Sequence, residues 1–382
     1  MTGRAAICAD IHVANHMVLG GERRAGINRR CQRILDTLEQ ALAMAEAAEC
    51  SDFIVAGDLF DTVRPSPQVI AAVLHRFNQF PGRVHVLMGN HDMVSTASGD
   101  NALGPLAESG KVVVWEKPGL LVLGDPSDTT APAIAMVPYH PGHAHEWFAP
   151  HLQQAVADSL VRTGPLALCL HLGLSSKAMR EENAWMKVVH DAIDVELLAE
   201  LCVKHDITAA YAGNWHHRFE LSPVPSVDGP GVRLVQVGTL APTGWDNPGM
   251  EGYGGVELWP ATRKGVWRLE INGPRFVNRI PAAKPVAGDY IAVALRVPPA
   301  ELSIARASAL QAQAAGLIHE FIVEPESEQA QQFARSKVDM ATSAGAVAQA
   351  VSDYCLAMKL PDGQTAAAVA ATVNRYLGGG VG

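Results

Sequence analysis

The sequence contains few charged and few aromatic residues, and it has no long apolar segment. Charged residues make up 18% and aromatic residues 6% of its 382 positions. Because no uninterrupted run of about 18 apolar residues occurs, the sequence predicts no membrane-spanning helix. The segment from Met1 to His12 lacks the apolar core and small-residue cleavage site of a secretion signal, so we expect a cytoplasmic protein.

Positive charge and paired cysteines are also scarce. The formal net charge is −9 at pH 7, whereas nonspecific nucleic-acid binding depends on Lys and Arg side chains that neutralise phosphates. Any nucleic-acid function would therefore need a local basic surface, metal ions or a partner chain. The six cysteines are scattered without a CxxC motif, which predicts reduced, mostly buried thiols and no disulfide or zinc framework.

The N-terminal part of the chain alternates between short apolar runs and helical patterns. Apolar runs at 5–9, 53–56 and 84–88 are separated by helical periodicity at about 27–48 and 67–80. This order predicts an α/β fold with a parallel sheet, in which ligands bind at the carboxyl ends of the strands.

The remainder of the chain divides at about residue 273. Further strands are predicted at 133–137, 166–170 and 209–212, and residues 234–271 indicate antiparallel strands that close a second sheet. We predict three parts: a large domain at 1–273, a small α/β domain at 274–332 and a helical segment at 333–382.

Five polar motifs each follow a predicted strand. Carboxylate, imidazole and amide side chains together suit Mn²⁺, Mg²⁺ or Fe²⁺ better than a metal that prefers thiolates. A single DxH motif is a weak signal, because it is more often a turn aspartate beside a hydrogen-bonded histidine. The five motifs in one order, each at a strand end, indicate a metal site. They are Asp10-x-His12, Gly57-Asp58-x-x-Asp61, Gly89-Asn90-His91-Asp92, His171 and Gly213-Asn214-x-His216.

The order of these motifs resembles that of the calcineurin-like metallophosphoesterase superfamily. The longer context resembles its SbcD-type branch, the DNA double-strand-break nucleases that act with an SbcC-like coiled-coil ATPase. The closer match includes the segment VGTL at 237–240, the small α/β domain and the terminal helices. The resemblance implies a catalytic domain with a four-layer α/β/β/α sandwich, followed by a small capping domain and C-terminal helices.

The resemblance also implies two divalent metal ions, for which we expect Mn²⁺, with Mg²⁺ or Fe²⁺ as alternatives. Asp58 would bridge the ions, His91 would donate a proton to the leaving oxygen, and Asp61 would hydrogen-bond His91. Asn214 stands where the family usually has histidine, which affects the choice of metal more than the reaction class. The implied ligands are Asp10, His12, Asp58 and His216 for the first ion, and Asn90, His171 and Asn214 beside Asp58 for the second.

Two further regions are candidates for binding. The arginines after the first motif form either a DNA-phosphate contact at the rim of the site or a solvated helix start. The predicted terminal helices, at 344–358 and 365–376, pack on each other or on the coiled coil of the ATPase, and a homodimer is expected from the resemblance. The four candidate DNA contacts are Arg23, Arg24, Arg29 and Arg30.

Three functions are compatible with the sequence. The leading hypothesis is a metal-dependent exonuclease and endonuclease subunit that hydrolyses DNA phosphodiesters in repair, recombination or replication. The second is a phosphodiesterase or phosphatase that acts on small molecules or phosphoproteins. The third is a scaffold that binds DNA ends and the ATPase with a weakened metal site, and it is suggested by Asn214.

Overall fold

The computed structural model describes the chain from residue 3 to residue 325, with gaps. The residues left out within that range are 96, 98–99, 160, 178, 180–189, 227–228, 245–253, 262–264, 272, 274 and 279–288. The described residues form two compact units. The first contains those up to Thr243 and those from 254 to 273, and the second contains Gly244 and those from 275 onward. The predicted helical segment at 333–382 lies outside the described residues.

The first unit is built from two six-stranded mixed β-sheets, two small two-stranded sheets and helices. In chain order, its strands are β1 (Ala5–Cys8), β2 (Arg23–Arg24), β3 (Ile27–Asn28), β4 (Asp52–Val55), β5 (Arg83–Leu87), β6 (Val112–Trp115), β7 (Gly119–Val122), β8 (Ala133–Val137), β9 (Leu166–His171), β10 (Gly173–Ser175), β11 (Ala192–Asp194), β12 (Ile207–Gly213), β13 (Phe219–Ser226), β14 (Gly229–Gln236), β15 (Gly255–Trp259) and β16 (Arg268–Glu270). Its helices are α1 (Arg29–Ala47), α2 (Pro67–Gln79), α3 (Gly104–Ala107), α4 (Ala144–Ala155) and α5 (Val195–Lys204). The two small sheets are β2–β3 and β10–β11.

The two large sheets have six strands each and are parallel at their centres. The strand order is β16-β15-β1-β4-β5-β6 in the first and β13-β14-β12-β9-β8-β7 in the second. Strands β1, β4, β5 and β6 run parallel to one another, as do β8, β9, β12 and β14. The predicted parallel arrangement is therefore confirmed at the centre of both sheets.

Both faces of the first sheet are buried. Along β1, Ala5 and Ile7 pack with residues of the second sheet, whereas Ala6 and Cys8 pack with residues of α1 and α2. Burial on both faces explains why the strands are continuous apolar runs without alternating polar residues. Helices α4 and α5 cover the outer face of the second sheet. The result is the four-layer α/β/β/α sandwich that the resemblance implied.

The segment from 234 to 271 differs from the prediction. Strand β14 joins the second sheet beside β12, but β15 pairs antiparallel with β1 in the first sheet and carries β16 at its outer edge. The chain passes from one sheet to the other through the VGTL segment, where Leu240 N donates to Ala9 O (3.1 Å). The antiparallel strands thus extend the first sheet, because β1 offers an edge that β4 does not occupy.

The second unit contains a small parallel sheet. Its strands are β17 (Phe276–Asn278), β18 (Tyr290–Val297) and β19 (Glu320–Pro325), and helix α6 (Leu302–Ala314) connects the last two. A crossover of this kind is what parallel neighbours require. Apolar residues of β18 and α6, such as Val293 and Ala309, share one small core. The predicted strand–helix–strand order is confirmed.

The described part of the chain contains five cysteines, all buried and without a disulfide. They are Cys8, Cys31, Cys50, Cys169 and Cys202. Burial raises the pKa of the Cys31 and Cys50 thiols to about 12, so they stay protonated and unreactive. None of the helices in this part of the chain combines the length and the apolar composition that a membrane-spanning helix needs.

Candidate metal centre

The loops that follow β1 and β4 run side by side in an unusual backbone conformation. Asp10, His12 and Asp58 all have left-handed φ angles, at 50°, 51° and 50°. Asp10 N donates to Gly57 O (3.1 Å), and His12 N donates to Asp58 O (3.1 Å). Such conformations are costly for residues with a Cβ atom and are concentrated at functional sites. Here they bring two acidic motifs together at the carboxyl ends of adjacent strands.

Two glycines permit the close approach of the neighbouring side chains. A Cβ atom at Gly57 would lie 2.0 Å from His171 Nδ1, and one at Gly89 would lie 2.1 Å from Asp58 Oδ1. Gly57 also has a φ of +92°. Any larger residue at either position would displace a candidate ligand, which explains why glycine precedes the polar residue in both motifs.

Asp10, His12 and His216 form the first cluster of potential metal ligands. The Nε2 atoms of His12 and His216 lie 3.1 Å apart, and both rings are directed toward the same point from different loops. His12 Nδ1 lies 3.2 Å from Asp61 Oδ1, and His216 Nδ1 lies 3.2 Å from Thr243 Oγ1. Because a carboxylate only accepts, its position near Nδ1 of His12 favours the tautomer with the proton on Nδ1, in which the Nε2 lone pair faces the cluster.

Asp10, Asp58 and His171 form a second cluster. His171 Nδ1 donates to the carbonyl oxygen of Ala56 (2.7 Å), so Nε2 is the ring nitrogen that faces the cluster, and it carries a lone pair whenever the ring is neutral. Nε2 lies 2.9 Å from Asn90 Oδ1 and 3.4 Å from Asp58 Oδ2. Acceptors that converge without a donor need a proton or a cation between them. Nitrogen and oxygen donors of this kind fit a divalent ion.

Asp58 lies between the two clusters. Its Oδ1 accepts the backbone N–H of His91 (2.9 Å), which fixes the carboxylate. Its Oδ2 is 3.8 Å from His12 Nε2 and 3.4 Å from His171 Nε2. The oxygen that faces both imidazoles is therefore placed where it could bridge two ions, as the resemblance implied.

The electrostatics of the buried site favour a positive charge beside Asp58. Burial of His171 opposes its protonation, but the charge and hydrogen bond of Asp58 and the charge of Asp10 outweigh it and raise the pKa of His171 to about 9. Burial and the nearby charge of Asp58 raise the pKa of Asp10 to about 6, although the charge of His171 opposes this. Two carboxylates in a buried site compete for one cationic partner, and divalent ions would satisfy both.

The arrangement around Asp61 corrects one predicted contact. The Asp61 carboxylate faces His12 Nδ1 (3.2 Å) and His16 Nδ1 (3.6 Å) instead of His91. The contact with His91 is made by the backbone oxygen of Asp61, 3.3 Å from His91 Nδ1. Asp61 is thus placed to orient a candidate metal ligand, whereas a carbonyl group holds the candidate proton donor.

Asn214 lies beside Asp10, as expected of a residue in the last motif. Its backbone N–H donates to Asp10 Oδ1 (2.9 Å), and its φ is +82°. The side-chain NH₂ group donates to the carbonyl oxygen and to Oδ2 of Asp191, both at 3.0 Å. The amide nitrogen is therefore directed at Asp191, and the amide oxygen is the side-chain atom left for a metal ion.

The four predicted DNA contacts divide into two groups. Arg23, Arg24 and Arg29 are exposed, but Arg30 is buried. The Arg30 guanidinium donates to the carbonyl oxygens of Val18 (3.0 Å) and Thr243 (2.6 Å). The DNA-contact prediction for Arg30 is corrected on this point, because its position on the inner face of α1 directs the side chain into the protein.

Several residues that support the site were not identified from the sequence. Thr239 donates from its hydroxyl group to Asp10 O (2.7 Å), and it belongs to the VGTL segment that the sequence singled out. Thr243 and Asp191 contact His216 and Asn214, respectively. No sequence signal marked these two residues, because neither lies within a recognisable motif.

A comparison with protein families bears on the five motifs, all of which lie within the matched residues. A profile described as calcineurin-like phosphoesterase matches residues 3–218. No curated protein matches the chain.

Three solved structures show a distant likeness. A dimetal phosphatase from Danio rerio has a TM-score of 0.39 and 13% identity, with 62% of this chain and 86% of that chain covered. The purple acid phosphatase PPD1 from yellow lupin (Lupinus luteus) seeds has a TM-score of 0.37 and 15% identity, covering 71% and 48%. The phosphopantetheinyl hydrolase from Mycobacterium tuberculosis has a TM-score of 0.34 and 12% identity, covering 61% and 88%.

Proposed function

The chain belongs to the calcineurin-like phosphoesterase family, and we propose that it is a nuclease subunit that uses two divalent ions to hydrolyse DNA phosphodiesters. The family establishes a metal-dependent phosphoesterase. The finer proposal, DNA as the substrate, is supported by the SbcD-like sequence context and by the surface next to the metal centre. The observation that carries the reaction class is the position of Asp58 Oδ2 between His12 Nε2 and His171 Nε2, at 3.8 Å and 3.4 Å.

The proposed ligand sets are those that the resemblance implies, and the clusters of buried side chains support them in part. When bound, a pair of divalent ions lowers the pKa of a water molecule and neutralises charge on the phosphate. A mixed set of carboxylate, imidazole and amide ligands suits Mn²⁺, which we propose as the ion used. Asp10, His12, Asp58 and His216 would hold the first ion, and Asp58, Asn90 and His171 the second, to which the resemblance adds Asn214.

His91 is the proposed proton donor to the leaving oxygen. Its ring is partly exposed and packs edge-on against His12, with centroids 4.9 Å apart. Its backbone N–H is fixed by Asp58 (2.9 Å), and its Nδ1 faces the carbonyl oxygen of Asp61 (3.3 Å). A carbonyl group only accepts, so Nδ1 keeps a proton and Nε2 is free to exchange one with the substrate.

A basic hairpin next to the centre supports a polyanionic substrate. Strands β2 and β3 carry or adjoin the exposed Arg23, Arg24 and Arg29. Asn15, three residues after His12, accepts Asn28 N (2.8 Å) and donates to Gly26 O (2.8 Å). The hairpin is thus tied to the loop that carries His12, and its cations lie at a fixed place relative to the ions.

Hydrolysis of a small phosphodiester or phosphomonoester is the second candidate. It is favoured by the net charge of −9 and by the pairing of Arg24 with Glu22 (3.1 Å), which weakens the basic surface. A partner chain would compensate for that weakness. We propose a coiled-coil ATPase, which would bind the segment at 333–382, outside the described residues.

Nuclease assays separate these candidates. Purified protein is incubated with labelled duplex DNA, bis-(p-nitrophenyl) phosphate or p-nitrophenyl phosphate, in Mn²⁺ or in EDTA. We expect Mn²⁺-dependent cleavage of DNA and of the diester, with His91→Gln reducing turnover by about 10²–10⁴-fold while Mn²⁺ still binds. Hydrolysis of the monoester without cleavage of DNA, with or without an ATPase partner, would overturn the nuclease proposal. DNA binding with no Mn²⁺-dependent hydrolysis of any substrate would instead support the scaffold.

A further inference from the structure

The side-chain amide of Asn214 has a defined orientation. Its Nδ2 atom lies 3.0 Å from both the carbonyl oxygen and Oδ2 of Asp191. A carbonyl oxygen and a carboxylate oxygen can only accept hydrogen bonds, so the group that faces them must be NH₂. The amide oxygen Oδ1 consequently points away from Asp191. If the amide rotated by half a turn, the carboxylate would face an oxygen, and the NH₂ group, which cannot bind a cation, would replace Oδ1.

Asp191 is fixed relative to the loop that carries His171. Gly173, two residues after His171, donates its N–H to the same carbonyl oxygen of Asp191 (2.9 Å). Strand β11 begins at the next residue and pairs with β10 from Gly173 onward. One acceptor for Asn214, the carbonyl oxygen of Asp191, therefore belongs to backbone that is hydrogen-bonded next to a second-cluster ligand, and the other acceptor is the Asp191 carboxylate.

The backbone of Asn214 is fixed from the opposite side. Its N–H donates to both carboxylate oxygens of Asp10, at 2.9 Å and 3.2 Å. The main chain of Asn214 is thus held by Asp10, and its side chain is held by Asp191. Little freedom is left in the position of Oδ1.

We propose that Asp191 is a positioning residue that orients Asn214 so that Oδ1 serves the second metal ion, and that this pair biases the site toward Mn²⁺ and Mg²⁺ over Zn²⁺. An oxygen ligand in place of an imidazole nitrogen favours harder ions. The inference rests on the two-ion centre of the proposed function, but it does not require DNA to be the substrate.

Mn²⁺ titration of the full chain tests the positioning role. Free Mn²⁺ is followed by electron paramagnetic resonance for the wild type, Asp191→Ala and Asp191→Asn. We expect two bound ions in the wild type. Asp191→Ala should weaken the second ion by about tenfold, the lower end of the range for residues that hold a ligand, and leave the first within about twofold. Asp191→Asn keeps an oxygen that accepts from Asn214 and should stay within about threefold of the wild type.

Two results would overturn the role of Asp191. Equal loss in Asp191→Asn and Asp191→Ala would mean that its charge, and not its hydrogen bond, matters. Equal loss of both ions in Asp191→Ala, with a lowered Tm of the metal-free protein, would mean that the residue only supports the fold.

A double-mutant cycle adds a test that does not depend on one variant. In the Asn214→Ala background, Asp191→Ala should change second-ion affinity by less than twofold, and an undiminished tenfold loss would contradict the proposal.

Metal selectivity gives a separate readout. Asn214→His should raise the affinity for Zn²⁺ relative to Mn²⁺ by at least about tenfold in competition titrations, and an unchanged ratio would contradict the selectivity claim.

A wild-type protein that binds two Mn²⁺ ions but does not cleave DNA would contradict the nuclease proposal and leave this inference intact. A wild-type protein that binds one Mn²⁺ ion, unaffected by Asn214→Ala, overturns this inference.

Discussion

Two groups of buried charged residues in the first unit handle charge in opposite ways. In the first group, fully buried Glu257 contacts three arginines: Arg218 at 2.9 Å, Arg233 at 3.0 Å and Arg268 at 3.4 Å. In the second group, the carboxylates of Asp10 and Asp58 lie with the imidazole of His171 in one buried cluster, which contains no arginine or lysine among the described residues. We call them the Glu257 group and the metal group.

The two groups differ in whether protein atoms alone balance their charges. Each oxygen of Glu257 faces a guanidinium donor, so the Glu257 group is complete with protein atoms alone. The metal group contains two buried carboxylates, Asp10 and Asp58, whose charges His171 offsets only in part when its ring is protonated, and buried charges without full pairing are costly. The free-energy cost of the incompletely paired charges remains until a cation binds. The comparison therefore separates a group that stabilises the fold from a group that is completed by a ligand.

Removal of the shared carboxylate should have the largest effect. Asp58→Asn keeps the shape of the side chain but loses the charge between His12 and His171, so both ions lose a ligand. We expect Mn²⁺-dependent hydrolysis of bis-(p-nitrophenyl) phosphate to fall by about 10³-fold or more, equivalent to about 4 kcal/mol. Steady-state assays check this, with exposed Asp125→Asn as the matched control. Activity within tenfold of the wild type would show that Asp58 is not central.

Removal of Glu257 should have the opposite outcome. Glu257→Ala leaves Arg218, Arg233 and Arg268 without their common partner, and loss of one member of a buried ion pair costs about 3 kcal/mol or more. The free energy of unfolding, measured with urea, should fall by that amount. The affinity for Mn²⁺ should stay within about twofold of the wild type. A large loss of Mn²⁺ binding would mean that the two groups are not independent.

Divalent ions should stabilise the protein through the metal group alone. At a free Mn²⁺ concentration of 100 times Kd, the gain is about 2.7 kcal/mol per site, or about 5–10 °C in Tm for a unit of this size. Thermal unfolding with Mn²⁺ and with EDTA measures it. Glu257→Ala should show the same increment as the wild type if the two groups act independently. An increment that vanishes in this variant would refute the separation of the two groups.

The smallest predicted effect concerns Arg30. Its hydrogen bond to Thr243 O supports the residue whose hydroxyl group contacts His216. Arg30→Gln should therefore weaken the ion held by His216 by about tenfold, whereas Arg23→Gln should change only the KM for DNA and its salt dependence. Mn²⁺ titration and DNA assays at two salt concentrations check both variants. If Arg30→Gln and Arg23→Gln weakened DNA binding equally and Arg30→Gln left the affinity for Mn²⁺ unchanged, Arg30 would be a DNA contact after all.

The convergence of the motifs could be predicted from the sequence because parallel strands end at one edge of a sheet. His12 and His216 lie 204 positions apart and still meet at 3.1 Å, as strand–loop–helix order requires. The partners of Asp61 and Arg30 could not be predicted, because the direction of a side chain in an irregular loop or on a helix depends on tertiary packing. The Asp191–Asn214 contact could not be predicted either, since it joins the residue before β11 to the residue after β12, and no local pattern connects the two.

The sheet to which β15 and β16 belong could not be predicted from the sequence either. Their antiparallel pairing followed from short strands with Gly and Pro turns. The choice of sheet did not follow, because it depends on the free edge of β1, more than 240 positions earlier in the chain. Local pattern thus predicts the kind of element, whereas long-range pairing decides where the element lies.

The most direct test of the metal group is anomalous X-ray diffraction at the manganese edge from crystals grown with Mn²⁺. Two peaks about 3.5–4 Å apart, one on each side of Asp58, are the result that a two-ion phosphoesterase requires. A single peak, or peaks that do not contact Asp58, would contradict the account.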